Sequence, residues 1–363
     1  MIDKSPTSSL QRLAYMLVST VALVTILVYS QDYIIPFILA LILWFIIHEM
    51  REVLQKSTFI RERFPVWVQS MISFLVINLI ILLMVELLYV TLGDLLNNID
   101  KYQKNFEVAM IQLNDLIGID ILSEMIDYVD NVQFSDLASP ILEWLTSILG
   151  DSFLILFYVL FLLIEESVFD QKLAAVYNSK KQLSDMAKLF HKMDKNIGRY
   201  LLLKTWVSLL TGLFSYFVML FLGLEGAIFW AMLIFVLNYI PTVGSLIATF
   251  FPAFFAILQF GEFGPFLLIL GLIGTVQVLV GNVIEPKLMG NSLNMSSLVV
   301  ILSLTIWGAI WGVMGMILSV PITVMMIVIF EEIPNLRFIA VFLSEKGDLN
   351  FILESKQEPL MDN

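Results

Sequence analysis

The chain has 363 residues, 59% of them hydrophobic and 14% charged, with a net charge of −12. Soluble domains carry about a quarter charged residues, so this composition excludes an ordinary soluble protein and indicates an integral membrane protein. With no cysteine and only two histidines, His48 and His191, disulfides, thiol nucleophiles and thiolate metal sites are excluded, and neither a metal centre nor a cofactor is expected.

The long apolar stretches lack strand-like alternation, so the spans are helices. The first twenty residues have no short apolar core followed by a small-residue cleavage site, and read as the start of a retained span. At about 20 apolar residues per crossing, residues 13–30 and 34–47 form the first two spans, a tight pair hinged near Asp32. The third covers 66–92, the fourth 145–164 and the fifth 201–222, with a shorter apolar segment at 266–280. Two further runs, 226–258 and 295–330, are each too long for one ordinary crossing and too short for two crossings and a turn. The expected organisation is N-terminal membrane helices (1–92), an acidic extracytoplasmic helical segment (93–144), a transmembrane helix (145–164), a cytoplasmic helical loop (165–200), a C-terminal transport core (201–330) and a cytoplasmic tail (331–363).

Positive residues stay in the cytoplasm. The loop after the second span holds Arg51, Lys56, Arg61 and Arg63. The loop after the fourth holds Lys172, Lys180, Lys181, Lys188, Lys192, Lys195, Arg199 and Lys204. Segment 93–144 has only Lys101 and Lys104 among many acidic residues. Both termini are therefore expected in the cytoplasm and the acidic segment outside. That segment carries a helical apolar stripe at Leu95, Ile99, Tyr102, Phe106, Met110, Leu113 and Ile117, continued after Gly118 by Ile121, Leu122, Met125, Ile126 and Val129. It reads as a helical cap packed on itself or the membrane, or as a contact surface. Leu183, Met186, Phe190, Met193 and Ile197 form a similar stripe, expected as a helix along the cytoplasmic face.

No phosphate-binding loop, nucleophile elbow or intramembrane aspartate pair is present, and "HEMRE" lacks the second histidine of a zinc-protease motif. An enzyme is not expected, and the acidic outer surface argues against nucleic acid. The informative features are interruptions of the apolar runs. In "NYIPTVGSL" (238–246), Pro241 lacks an N–H and ends or kinks the helix near Asn238. Gly244 supplies conformational freedom there. Asn238, Tyr239, Thr242 and Ser245 bring polar groups to the break. The other overlong run holds Gly308, Gly312, Gly315 and Pro321, where small residues also suit close helix packing. Irregular backbone survives in a bilayer only where protein or a water-filled cavity covers it, the arrangement transporters use for solute sites.

If both runs cross once, the chain has eight spans and Lys287 lies outside. If both are re-entrant hairpins entering from opposite sides, it has six and Lys287 lies inside. Between them, Gln277, Asn282, Glu285 and Lys287 cluster around Gly281, Pro286 and Gly290, either as a surface loop or as part of a polar pathway. Glu86, inside the third span, is a further candidate because intramembrane carboxylates are costly.

"NYIPTVGSLIATFFPA", "QVLVGNVIEPKLMG" and "SLVVILSLTIWGAIWGVMGMILSVP", in this order, resemble the C-terminal hallmark of the bacterial autoinducer-2 exporter family over roughly residues 195–335. The resemblance implies a multi-pass inner-membrane permease and a homo-oligomer. Its members are assigned to export of autoinducer-2 or to exchange of sodium or lithium for protons. Val280 stands where relatives often carry an acidic residue and Ser297 where they often have proline. Proton coupling would then fall to Glu285 or Glu86.

The expected fold is an all-α integral membrane protein of six to eight transmembrane helices with two broken or re-entrant segments. The expected function is secondary transport of a small solute, sodium, lithium or protons across the lipid bilayer. Asn238, Pro241, Thr242, Gly244, Gln277, Asn282, Glu285 and Glu86 are expected to line the pathway. Pro286, Gly290, Gly312, Gly315 and Pro321 are expected to be structural breaks. The alternative is a membrane scaffold that binds a partner through its extracytoplasmic helices.

Overall fold

The computed structural model describes residues 9–117, 134–177, 179–289, 295–345 and 347. Gly290, the stripe after Gly118 and the tail beyond 347 lie outside the described residues.

The described chain is all-α. Its helices are α1 (Ser9–Tyr29), α2 (Gln31–Gln55), α3 (Thr58–Arg63), α4 (Val66–Asn97), α5 (Ile99–Ile117), α6 (Phe134–Val176) and α7 (Lys180–Phe221). They continue as α8 (Ala227–Leu237), α9 (Val243–Phe260), α10 (Phe263–Leu279), α11 (Glu285–Met289), α12 (Ser297–Glu332) and α13 (Arg337–Leu343). Seven of the helices are long and apolar enough to cross a membrane. The turn between the first pair falls at Ser30, beside the expected hinge near Asp32, which lies in the first turn of α2. An acidic residue is favourable in a first helical turn, where the backbone N–H groups carry partial positive charge.

Both overlong runs fold back on themselves. In the first, α8 and α9 pack against each other. The Gln259 side chain closes their base, accepting from the Glu225 N–H at 2.6 Å and donating to the Gly223 carbonyl at 2.8 Å. Residues 34 apart on a straight helix would be about 50 Å apart, so this run is a hairpin. In the second, α12 bends at Trp311 (φ −128°) and Gly312 (φ 60°, ψ −140°). The Thr323 hydroxyl then reaches Ser303 Oγ at 2.9 Å, where a straight helix would separate them by about 30 Å.

Each hairpin turns where a glycine lets backbone touch backbone. A Cβ on Gly244 would fall inside the Leu237 carbonyl, and one on Gly315 inside the Trp307 carbonyl. This corrects the expected role of Gly244. It is helical, and the left-handed residue of the turn is Thr242 (φ 60°). Gly315 likewise is a contact and Gly312 the break. Pro321 breaks nothing and lies buried within the second arm of α12. Pro286 does not end its helix either, because a wide π turn at Val280–Ile284 precedes α11. The shifted pairing of such a turn absorbs the missing proline N–H.

The hairpins enter from opposite ends of the bundle. The base of the first meets α5: the Asn105 amide donates to the Gln259 carbonyl at 2.6 Å, and Gly261 lies against the Asn105 backbone. The base of the second pairs Met295 with Ser344 beside Ile197 and Leu201 of α7, while its tip reaches α1, where the Trp311 indole N–H donates to the Leu27 carbonyl at 3.0 Å. With these two runs folded back, the seven long apolar helices fit the expected all-α membrane fold of six to eight spans.

The apolar face of α5 is spent on the first hairpin, not on itself. Tyr102, Phe106 and Ala109 are buried, with Tyr102 edge-on to Phe255. The stripe at 183–197 is part of α7, one continuous helix from Lys180 to Phe221.

Candidate functional site

The inner tip of the first hairpin meets the middle of α7. That part of α7 reads "RYLLLKTWVSLLTGLFSYF", with Lys204, Ser208, Thr211 and Ser215 at spacings of four, three and four. This places them along one helix face, and all four are buried.

The hairpin tip answers this polar face. The Asn238 amide donates to Ser208 Oγ at 3.1 Å, and the Tyr239 hydroxyl hydrogen-bonds Thr205 Oγ1 at 2.7 Å. From below the π turn, Glu285 Oε1 accepts from Lys204 Nζ at 2.7 Å. The Lys204 side chain is 6% exposed and that of Glu285 23%. Charges so placed persist only when paired. Thr242, in the same turn, holds a positive φ that a β-branched residue disfavours by roughly 1–3 kcal/mol. Such strain survives where surrounding packing enforces it.

Of the residues expected to line a pathway, the structure brings Asn238 and Glu285 onto α7. Pro241 and the exposed Thr242 form the adjacent turn, and Gly244 is its buried contact point. The Gln277 amide nitrogen is buried without a hydrogen-bond partner. Asn282 is exposed in the π turn. Glu86 is not brought here. It is exposed on α4, in a shallow groove lined by Leu79, Leu82, Leu83 and Tyr89 of its own helix.

The sequence reading missed Lys204, Thr205 and Ser208, having counted Lys204 with the cytoplasmic charges. The available signal was the polar spacing inside an apolar run. Further along α7 and α8, Ser215 Oγ and Trp230 Nε1 are also buried without partners. These groups can donate and accept hydrogen bonds but include no nucleophile–base pair, and no metal-holding group of His, Cys, Asp and Glu occurs among the described residues. The arrangement suits binding rather than bond-making.

The family model of AI-2E family transporters matches residues 17–335. The chain belongs to the AI-2E transporter family. It is similar to the AI-2 transport protein TqsA of Escherichia coli (31% identity, covering 87% of this chain and 91% of the relative). It is also similar to a putative transport protein of Haemophilus influenzae (31%, covering 88% and 92%) and to the putative transport protein YhhT of E. coli (27%, covering 81% and 83%). The hairpins and α7 all lie inside the matched region. This AI-2E family chain is a multi-pass membrane transporter.

Proposed function

We propose that this transporter is a secondary permease that carries a small polar solute through the site between the first hairpin tip, α7 and the π turn, by alternating access. The single observation behind this reading is the Lys204–Glu285 pair beside Asn238–Ser208 and Tyr239–Thr205, buried at the inner tip of a folded-back helix. A solute with hydroxyl and carbonyl groups has donors and acceptors of both senses there. The unpartnered donors of Ser215 and Trp230 extend the polar track toward the first hairpin's base, and Gln277 adds one beside the π turn.

The membrane is the bacterial plasma membrane, with the α5 end outside and both termini cytoplasmic, because the basic residues collect at the opposite end. Labelling a Lys287→Cys variant of this cysteine-free chain from the inside only would support that orientation; labelling from outside only would reverse it. Self-association, implied by the family, is read by crosslinking in membranes.

The named relative makes autoinducer-2 the first solute to test. Sodium or lithium exchange for protons is the second, since a carboxylate neutralised by Lys204 has the same charge balance as one holding a metal cation. Flux of autoinducer-2, sodium and lithium is measured in proteoliposomes under an imposed pH gradient. One of the three is expected to move, and Glu285→Gln to abolish the movement. A chain that moves none of them, or a Glu285→Gln variant as active as the parent, overturns the reading. The scaffold alternative is disfavoured by α5, whose apolar face is already covered by the hairpin.

A further inference from the structure

A second polar cluster, remote from the solute site along α7, ties four helices together at the basic end of the bundle. Arg51 of α2, 8% exposed, donates to Ser70 Oγ of α4 at 2.8 Å and to Glu166 Oε1 of α6 at 2.7 Å. The Trp44 indole donates to the other Glu166 oxygen at 3.0 Å. His48 sits between these groups and α7. Its Nδ1 lies 2.8 Å from an Arg51 guanidinium nitrogen, and its Nε2 lies 3.3 Å from Asp194 Oδ2.

Guanidinium nitrogens only donate, so Nδ1 must accept and the ring is neutral, with its proton on Nε2 facing Asp194. A second proton has one place to go. On Nδ1 it would meet the Arg51 donor at 2.8 Å, while Glu166 Oε1 stands 3.5 Å from the same nitrogen. The protonated ring must leave Arg51 and point Nδ1–H at Glu166, keeping Nε2–H on Asp194. It would then hold a carboxylate of α6 on one side and of α7 on the other. The remaining charged groups are Glu52 and Glu49 on its own helix, Glu49 facing Arg199 of α7, while α4 meets the cluster through the uncharged Ser70, which bonds Arg51.

We propose that His48 is a proton-binding site: a bound proton adds the Glu166 contact and makes the Asp194 contact charge-assisted, clasping α7 more tightly to α2 and α6 than the neutral ring does. Asp194 is ten residues from Lys204 on the same continuous helix, about 15 Å by helical rise. A proton bound at His48 therefore biases the position of the helix that carries the polar face. The link to transport rests on the function proposed above; the clasp itself does not.

The test reads structure instead of flux. His191→Gln leaves His48 as the only histidine, and its ring resonances are followed in nanodiscs from about pH 5 to about pH 8, the window in which imidazoles titrate. Amide hydrogen exchange of residues 190–205, corrected for intrinsic rates, is measured over the same range. The ring is expected to titrate, and local opening of α7 to fall about fivefold or more on protonation, the size of a modest coupling energy. Asp194→Asn is expected to keep the ring titration and lose the change in opening. His48→Gln is expected to be flat with pH. A ring that does not titrate, or an unchanged pH response in His48→Gln, overturns the clasp. A clasp that behaves as expected in a chain inactive for every solute tested would overturn only the transport reading.

Discussion

Lys204 and Glu285 carry opposite charges in a place where water scarcely reaches them, so each depends on the other. Removing one partner leaves an uncompensated charge, which costs about 3–5 kcal/mol. Lys204→Met and Glu285→Gln are each expected to lower the unfolding midpoint in detergent sharply. The double variant Lys204→Met/Glu285→Leu is expected to recover most of that stability without recovering flux. Equal stability of the single and double variants would show that the pair is not energetically coupled. The glycines make an equally local prediction. Gly244→Ala and Gly315→Ala drive a methyl into a carbonyl and should each destabilise by about 2 kcal/mol or more. Gly264 and Gly271 of α10 have open space where a Cβ would go, so Gly264→Ala or Gly271→Ala should stabilise by about 0.5–1 kcal/mol. These four glycines look alike in the sequence; what separates them is whether another strand of backbone crosses there.

At the scale of the element, the first hairpin is held at its base by polar side chains. Lys101 Nζ and the Tyr102 hydroxyl both bond the Glu225 carboxylate, at 2.7 and 2.5 Å. Burial works against the charged Glu225 carboxyl, but the hydrogen bonds from Lys101 and Tyr102 outweigh it and hold the group below its ordinary value. Burial first, and the bond to that carboxylate second, push the Tyr102 hydroxyl well up, so it stays a donor throughout the physiological range. A depressed carboxyl contributes stability above its unfolded value and loses it as pH falls through the folded one. Protection of the hairpin base against hydrogen exchange should therefore be constant at neutral pH and fall in acid, below the ordinary 4.5 of a glutamate. Glu225→Gln should remove that acid dependence, and its persistence would place the responsible group elsewhere. Gln259→Ala should open the same base at every pH, since no titrating group is involved.

At the scale of the whole molecule, the two hairpins enter from opposite ends of the bundle and each folds back on itself. This arrangement predicts proximity between residues that a helical wheel would separate. Ser303→Cys with Thr323→Cys, in a chain without native cysteines, should crosslink efficiently in membranes. Failure to crosslink would favour a straight α12. The same folding means that deleting α5 cannot test partner binding by itself. Without α5, the apolar surface around Phe254 and Phe255 loses its cover, and any activity would be lost with the hairpin.

Helical class, the number of apolar runs and the positions of both interruptions were legible in the sequence, because they depend on local quantities: run length, hydropathy, the missing N–H of Pro241 and the left-handed freedom of Gly312. The expected break at Pro321 went wrong for the converse reason: a proline can sit within a helix that its neighbours support. Asn238 and Glu285 were identified as candidates, but Lys204 was counted with the loop charges, since nothing local says which face of α7 the hairpin will cover. Pairing Lys204 with Glu285, Asn238 with Ser208, and His48 with Glu166 and Asp194 spans separations from 30 to more than 140 residues. Only the packing of distant helices brings such groups within hydrogen-bond reach, so the tertiary structure alone decided where the charges of this protein sit.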